Sequence, residues 1–129
     1  MTVAEVSVVA QAFHDGVAAR DADALAGIYH DDARFLPPGM EPAEGHDAIR
    51  AAMQGLLDMG VTSLDIEPLD VREGGDLTVE YGRYRLGIEP SGGAPVTDIG
   101  KYVVVHETRD DGSTKILFDC FNSNAQPAA

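Results

Sequence analysis

The chain has 129 residues, a length that fits one domain with one sizeable core and excludes a multi-domain machine. Its 44% hydrophobic and 24% charged residues are the composition of a folded globular protein, neither disordered nor fibrous. Lys and Arg total 9 against 22 Asp and Glu, and the resulting net charge of -13 works against the clustered cations that nucleic acid or an anionic membrane surface demands.

The elements follow in chain order. Thr2 and Glu5 have the spacing of a capping box, and Val3, Val6, Val9, Ala10, Phe13 and Val17 then recur every three or four residues. This predicts an amphipathic helix over about 3 to 19 and, with no basic n-region, no signal peptide. Asp21 caps a second, short helix holding Ala24, Leu25 and Ile28. His30-Asp31-Asp32 reads as a junction, and Phe35-Leu36 as a short strand stopped by Pro37-Pro38. From Gly45, the stripe Ile49, Ala52, Met53, Leu56 and Leu57 predicts a third helix ending at Gly60.

Beyond Gly60 the period changes from 3.6 to 2, which predicts strands at about 62 to 71, 76 to 89, 97 to 109 and 114 to 122. Gly74-Gly75, Ser91-Gly92-Gly93 and Asp110-Asp111-Gly112 separate them as hairpin loops do, so the sheet is expected to be mostly antiparallel. A strand of a dozen residues spans about 40 Å and has to curl in so small a domain. Residues 1–124 are expected to form one α+β domain, a curved, mostly antiparallel sheet curling around three helices, with 125–129 as a disordered tail. No apolar run approaches the roughly 20 residues that cross a bilayer, so the expectation is a cytoplasmic protein without a membrane partner.

The segments RDADALAGIYHDDARFLPPG (Arg20 to Gly39), EGHDAIR (Glu44 to Arg50), DIGKYVVV (Asp98 to Val105) and DGSTKILFDCFNSN (Asp111 to Asn124) resemble, in order, the SnoaL-like and ketosteroid isomerase-like branch of the nuclear transport factor 2-like superfamily. That resemblance implies a cone with a hydrophobic pocket, put to many uses: isomerases, polyketide cyclases, dehydratases, epoxide hydrolases and non-catalytic assembly domains. It also implies a homodimer, to which outward Val103, Val105 and Ile116 are assigned. The tyrosine of ketosteroid isomerases falls on Phe13, which the resemblance thereby places at the pocket. Their base aspartate falls on Leu36 or Pro37 and their acid aspartate near Val104, so steroid isomerisation by that route is not implied. Arg83-Tyr84-Arg85 lacks the Arg-x-Asp spacing of limonene epoxide hydrolases.

Strand parity selects the candidates. Tyr102, Val104, His106 and Thr108 share one face of their strand, opposite a face carrying Lys101 and Glu107, so the first set is expected inside. By the same argument from Arg83 and Arg85, Glu80, Tyr84 and Leu86 point inward. His106 is a candidate proton shuttle, because an imidazole titrates near neutrality. Asp119, flanked on its face by Leu117 and Phe121, is a candidate general acid or base through desolvation. Tyr84 or Tyr102 could donate to a developing enolate oxygen, and Glu80, Asn122 and Asp98 complete the ligand-binding candidates. Each has a plainer structural alternative: a hydrogen-bonded strand histidine, a carboxylate holding a loop, a core tyrosine with a wet hydroxyl.

No metal or cofactor is expected: His14, His30 and His46 lack ligand spacing, Gly92-Gly93 lacks a strand-to-helix context, and Cys120 stands alone. The expected activity is acid–base chemistry of the isomerase, cyclase or dehydratase type on a hydrophobic cyclic or polyketide-like small molecule. The alternative is a non-catalytic ligand-binding or assembly domain.

Overall fold

In the computed structural model, which describes residues 1–125, α1 (Val3–Ala18) starts at a complete capping box: Thr2 accepts from the Glu5 amide, and Glu5 accepts from the Thr2 amide. Its apolar stripe buries Val6, Ala10, Phe13 and Val17. Asp21 caps α2 (Ala22–Ala26) through the Ala24 amide, so the two helices meet at a tight corner. Ile28 lies beyond α2, which is shorter than the spacing suggested.

Then comes β1 (Tyr29–Leu36), a full strand where only Phe35-Leu36 was expected to be extended. Its first half was hidden in the sequence because Asp31 and Asp32 are exposed there and ion-paired with Arg109. His30 is no junction residue but a buried residue of β1, its Nε2 donating to the Glu107 carbonyl oxygen at 2.7 Å. The two-residue β2 (Ala43–Glu44), too short to leave a periodicity, pairs with β1 and leads into α3 (His46–Asp58).

Four strands follow: β3 (Val61–Gly74), β4 (Leu77–Ile88), β5 (Val96–Thr108) and β6 (Thr114–Ser123). The six strands form one sheet in the order β2-β1-β6-β5-β4-β3. Every pairing is antiparallel except β1 with β6, which run parallel. The architecture is α+β, with a curved, unclosed sheet and all helices in the N-terminal half. Of the tail expected over 125–129, residues 126–129 lie outside the described residues.

Two features shape the concave face. Tyr102 stands directly across from Gly82, and Tyr84 across from Gly100. A Cβ on Gly82 would come within 2.5 Å of Tyr102 Oη, and one on Gly100 within 2.5 Å of Tyr84 Cε1, so each ring lies over a bare backbone that only glycine leaves open. The second feature is a bulge at Leu117. His106 pairs with Ile116 and Val105 with Phe118, leaving Leu117 unopposed. The extra residue turns Ile116 inward, where it is buried, so the expectation that Ile116 faces outward is corrected. Val79, Tyr81, Val103 and Phe118 remain on the exposed convex face.

Candidate functional site

The helices and the concave face enclose a cavity of about 130 Å³. Its wall is almost entirely apolar: Phe13 and Val17 from α1, Leu25 from α2, Met53 and Leu57 from α3, and Phe35, Ile116 and Phe121 from the sheet. The half-buried lining residues Val9, Leu56, Leu64, Ile66 and Leu86 mark the side on which it meets solvent. Four aromatic contacts run along one wall, from Phe13 to Tyr29, Tyr29 to Phe35, Phe35 to Phe121 and Phe121 to Tyr84, with centroids 5.5–6.1 Å apart.

Against this wall the sheet sets a small polar cluster. Alternation along β4 and β5 brings Glu80, Tyr102 and His106 inward on adjacent strands, all buried. His106 Nε2 is 2.7 Å from Glu80 Oε1, and the Tyr102 hydroxyl donates to Glu80 Oε2. Both oxygens of Glu80 are thus engaged, Oε2 as the acceptor of the Tyr102 hydroxyl and Oε1 by the His106 ring. His106 Nδ1, buried as well, has no hydrogen-bond partner among the described residues.

Asp119 reaches the same space from β6 and accepts a 2.6 Å hydrogen bond from the Tyr29 hydroxyl. Burial raises its pKa from 3.8 to about 6, with the nearby Glu80 charge adding to the rise, while the Tyr29 hydrogen bond and His106 oppose it. Burial and the facing carboxylates push the Tyr29, Tyr84 and Tyr102 hydroxyls well above their ordinary value, so all three stay protonated donors.

The sequence candidates thus divide. Glu80, Tyr102, His106 and Asp119 line the cavity together, and Phe13 and Tyr84 also line it. The Tyr84 hydroxyl is turned to Asp98 Oδ2 at 3.1 Å, and Asp98, also held by Ser123, lies outside the lining. Asn122 is exposed, across from Lys101, and does not line the cavity; Thr108, at the end of β5, is exposed too. Tyr29 was not among the candidates. The signal for it was its place beside Ile28 at the start of an apolar-alternating run with Ala33 and Phe35, masked by the polar residues between them.

Fold and site together define an α+β protein of the cone type with an apolar cavity between its helices and its curved sheet. The SnoaL-like domain family matches residues 10–116, most of the chain, and the protein belongs to that family. Among curated proteins none matches it. Solved structures with the same fold include a ketosteroid isomerase-like protein from Erwinia carotovora atroseptica SCRI1043, at 16% identity and a TM-score of 0.83, over 96% of this chain and 97% of that one. Another is a nuclear transport factor 2-like superfamily protein from Salmonella enterica serovar Typhimurium LT2, at 11% identity and a TM-score of 0.80, over 96% and 92% of the two chains. An NTF2-like protein with a cystatin-like fold from Novosphingobium aromaticivorans aligns at 17% identity and a TM-score of 0.73, over 90% and 77%. At these identities the likeness is one of fold. No helix among the described residues is long and apolar enough to cross a membrane.

Proposed function

We propose that this protein is a cofactor-independent enzyme of the isomerase, cyclase or dehydratase type, moving a proton on a hydrophobic cyclic substrate held in the cavity. The observation that carries the reading is Asp119: a carboxyl buried in an apolar cavity, with its pKa raised to about 6, beside a buried histidine. A group titrating there takes or gives a proton at neutral pH at little cost, which a carboxyl at 3.8 does not. Asp119 acts as the acid–base group, the Tyr29 hydroxyl fixes its orientation, and His106, held through Nε2 by Glu80, is the second proton-accepting group. Tyr84, with its hydroxyl engaged by Asp98, shapes the wall.

The test is a thermal-shift screen against cyclic ketones, phenols, terpenoids and aromatic polyketides, followed by turnover of each hit. A ligand at 100 times its Kd stabilises by about 2.7 kcal/mol. Loss of turnover in Asp119→Asn with the fold intact supports the reading. Hits that bind without being converted favour the alternative of a non-catalytic binding or assembly domain.

The exposed patch on the convex face supports a homodimer and, within the alternative, a docking role: Tyr81 lies opposite Val103, and Val79 and Phe118 flank Val105 across the adjoining strands. The protein is further proposed to work in the cytoplasm with a small-molecule ligand and without nucleic acid or membrane.

A further inference from the structure

The size of the cavity and the chemistry of one buried atom restrict what can fill it. An apolar cavity of about 150 Å³ in another protein stays dry and takes up benzene. The present cavity, at about 130 Å³, has room inside for one six-membered ring, and a fused-ring ligand would have to project through the side that meets solvent. The ring partners are in place: Tyr29, Phe35, Phe121 and Tyr84 stand edge to face or tilted around it, an arrangement that accepts a further aromatic or unsaturated ring.

The polar atoms on the wall are nearly all committed to one another. The Tyr102 hydroxyl is committed to Glu80, the Tyr29 hydroxyl to Asp119, and the Tyr84 hydroxyl to Asp98. With the Nε2 hydrogen of His106 assigned to the Glu80 contact, Nδ1 is the ring nitrogen left to accept from a ligand. This Nδ1 is buried and unpartnered among the described residues, and its side chain lines the cavity. A buried acceptor left unpaired is costly, so a ligand that brings a donor to it gains over one that does not.

We infer that the ligand of this cavity is a single-ring compound carrying one hydroxyl, a phenol or ring enol, whose O–H donates to His106 Nδ1. The inference rests on the cavity being the ligand site, as proposed above, but not on any turnover there.

The experiment is calorimetric titration of the purified protein with phenol, toluene and the phenolic steroid 17β-estradiol. The expected result is that phenol binds about tenfold tighter than toluene, the gain from satisfying one buried acceptor, and that estradiol does not bind. In His106→Leu the preference for phenol over toluene disappears while toluene still binds. Should that variant fail to fold, 15N-histidine NMR of the unaltered protein reads the same contact, since the Nδ1 resonance moves with phenol and not with toluene. Equal affinity for phenol and toluene, or an unmoved Nδ1 resonance, overturns the hydroxyl contact. Binding of estradiol in place of phenol overturns the single-ring limit, and binding of none of the three overturns the inference together with the cavity as ligand site. Phenol is a binding probe and need not react, so failure of the acid–base reading shows separately, as a bound ring substrate that is never converted.

Discussion

His106 and Glu80 meet across β5 and β4 with Nε2 2.7 Å from Oε1, and both side chains are shielded from solvent. The pair is completed by Tyr102, so Glu80 holds two neighbours in place at once. Removing the carboxylate would leave a histidine and a hydroxyl buried without their partner. Glu80→Ala is therefore expected to destabilise the fold by about 3 kcal/mol, read by urea denaturation, whereas Glu80→Gln, which keeps an acceptor, should cost less.

Asp119 makes stability depend on pH. Its folded pKa of about 6 lies above the 3.8 of the free group, so the folded state binds more protons than the unfolded state between these values. The contribution is fully present below about pH 4 and is lost as pH rises through about 6. The loss is about 3 kcal/mol. Unfolding free energies measured from pH 4 to 8 should show this decline in the native protein and not in Asp119→Asn.

The Tyr29 hydroxyl opposes the rise in the Asp119 pKa by donating to the ionised form. Tyr29→Phe removes that bond and keeps the ring. The titration of Asp119, followed by carboxyl NMR or as the lower limb of a rate–pH profile, should move to higher pH. A midpoint that stays put or falls would contradict the assigned hydrogen bond.

Gly82 and Gly100 admit the rings of Tyr102 and Tyr84. Gly82→Ala would push a methyl group into the Tyr102 hydroxyl and the Glu67 backbone, so either the ring or the strand has to move. The expected cost is about 2 kcal/mol, seen as a lower Tm, together with weaker ligand binding because Tyr102 no longer meets Glu80 squarely.

On the convex face, Val103 and Tyr81 are neighbours in exposed positions. The proposed homodimer predicts that the protein sediments as a dimer at micromolar concentration. Val103→Glu should shift it to monomer with little change in the circular dichroism spectrum. A native monomer would remove the dimer from the reading.

Apart from β1 and β2, the architecture was legible because each element carries its own period: Val6, Ala10, Phe13 and Val17 mark a helix face, and Tyr102, Val104 and His106 mark a strand face, without reference to anything distant. Much of the polar cluster was legible for the same reason, since Glu80 and His106 sit on regularly alternating strands. What escaped depends on contacts between distant segments. The inward turn of Ile116 comes from the Leu117 bulge, which alternation cannot encode. Tyr29 reaches Asp119 only because β1 lies parallel to β6, the two partners being 90 positions apart in sequence. The rejection of Asn122 from the lining follows from its register opposite Lys101, again a property of pairing.

The unopposed Leu117 also has a consequence for how the wall can vary. Deleting this one residue would restore an uninterrupted ladder in which Ile116 and Phe118 still stand opposite His106 and Val105, so Asp119 and Phe121 would keep their orientation while the local bend relaxed. The residue behaves as a shim: it sets the curvature beside His106 and takes up the one-step offset that lets both Ile116 and Asp119 face the interior. Length changes at that point of the hairpin would tune the depth of the chamber and leave its chemistry in place.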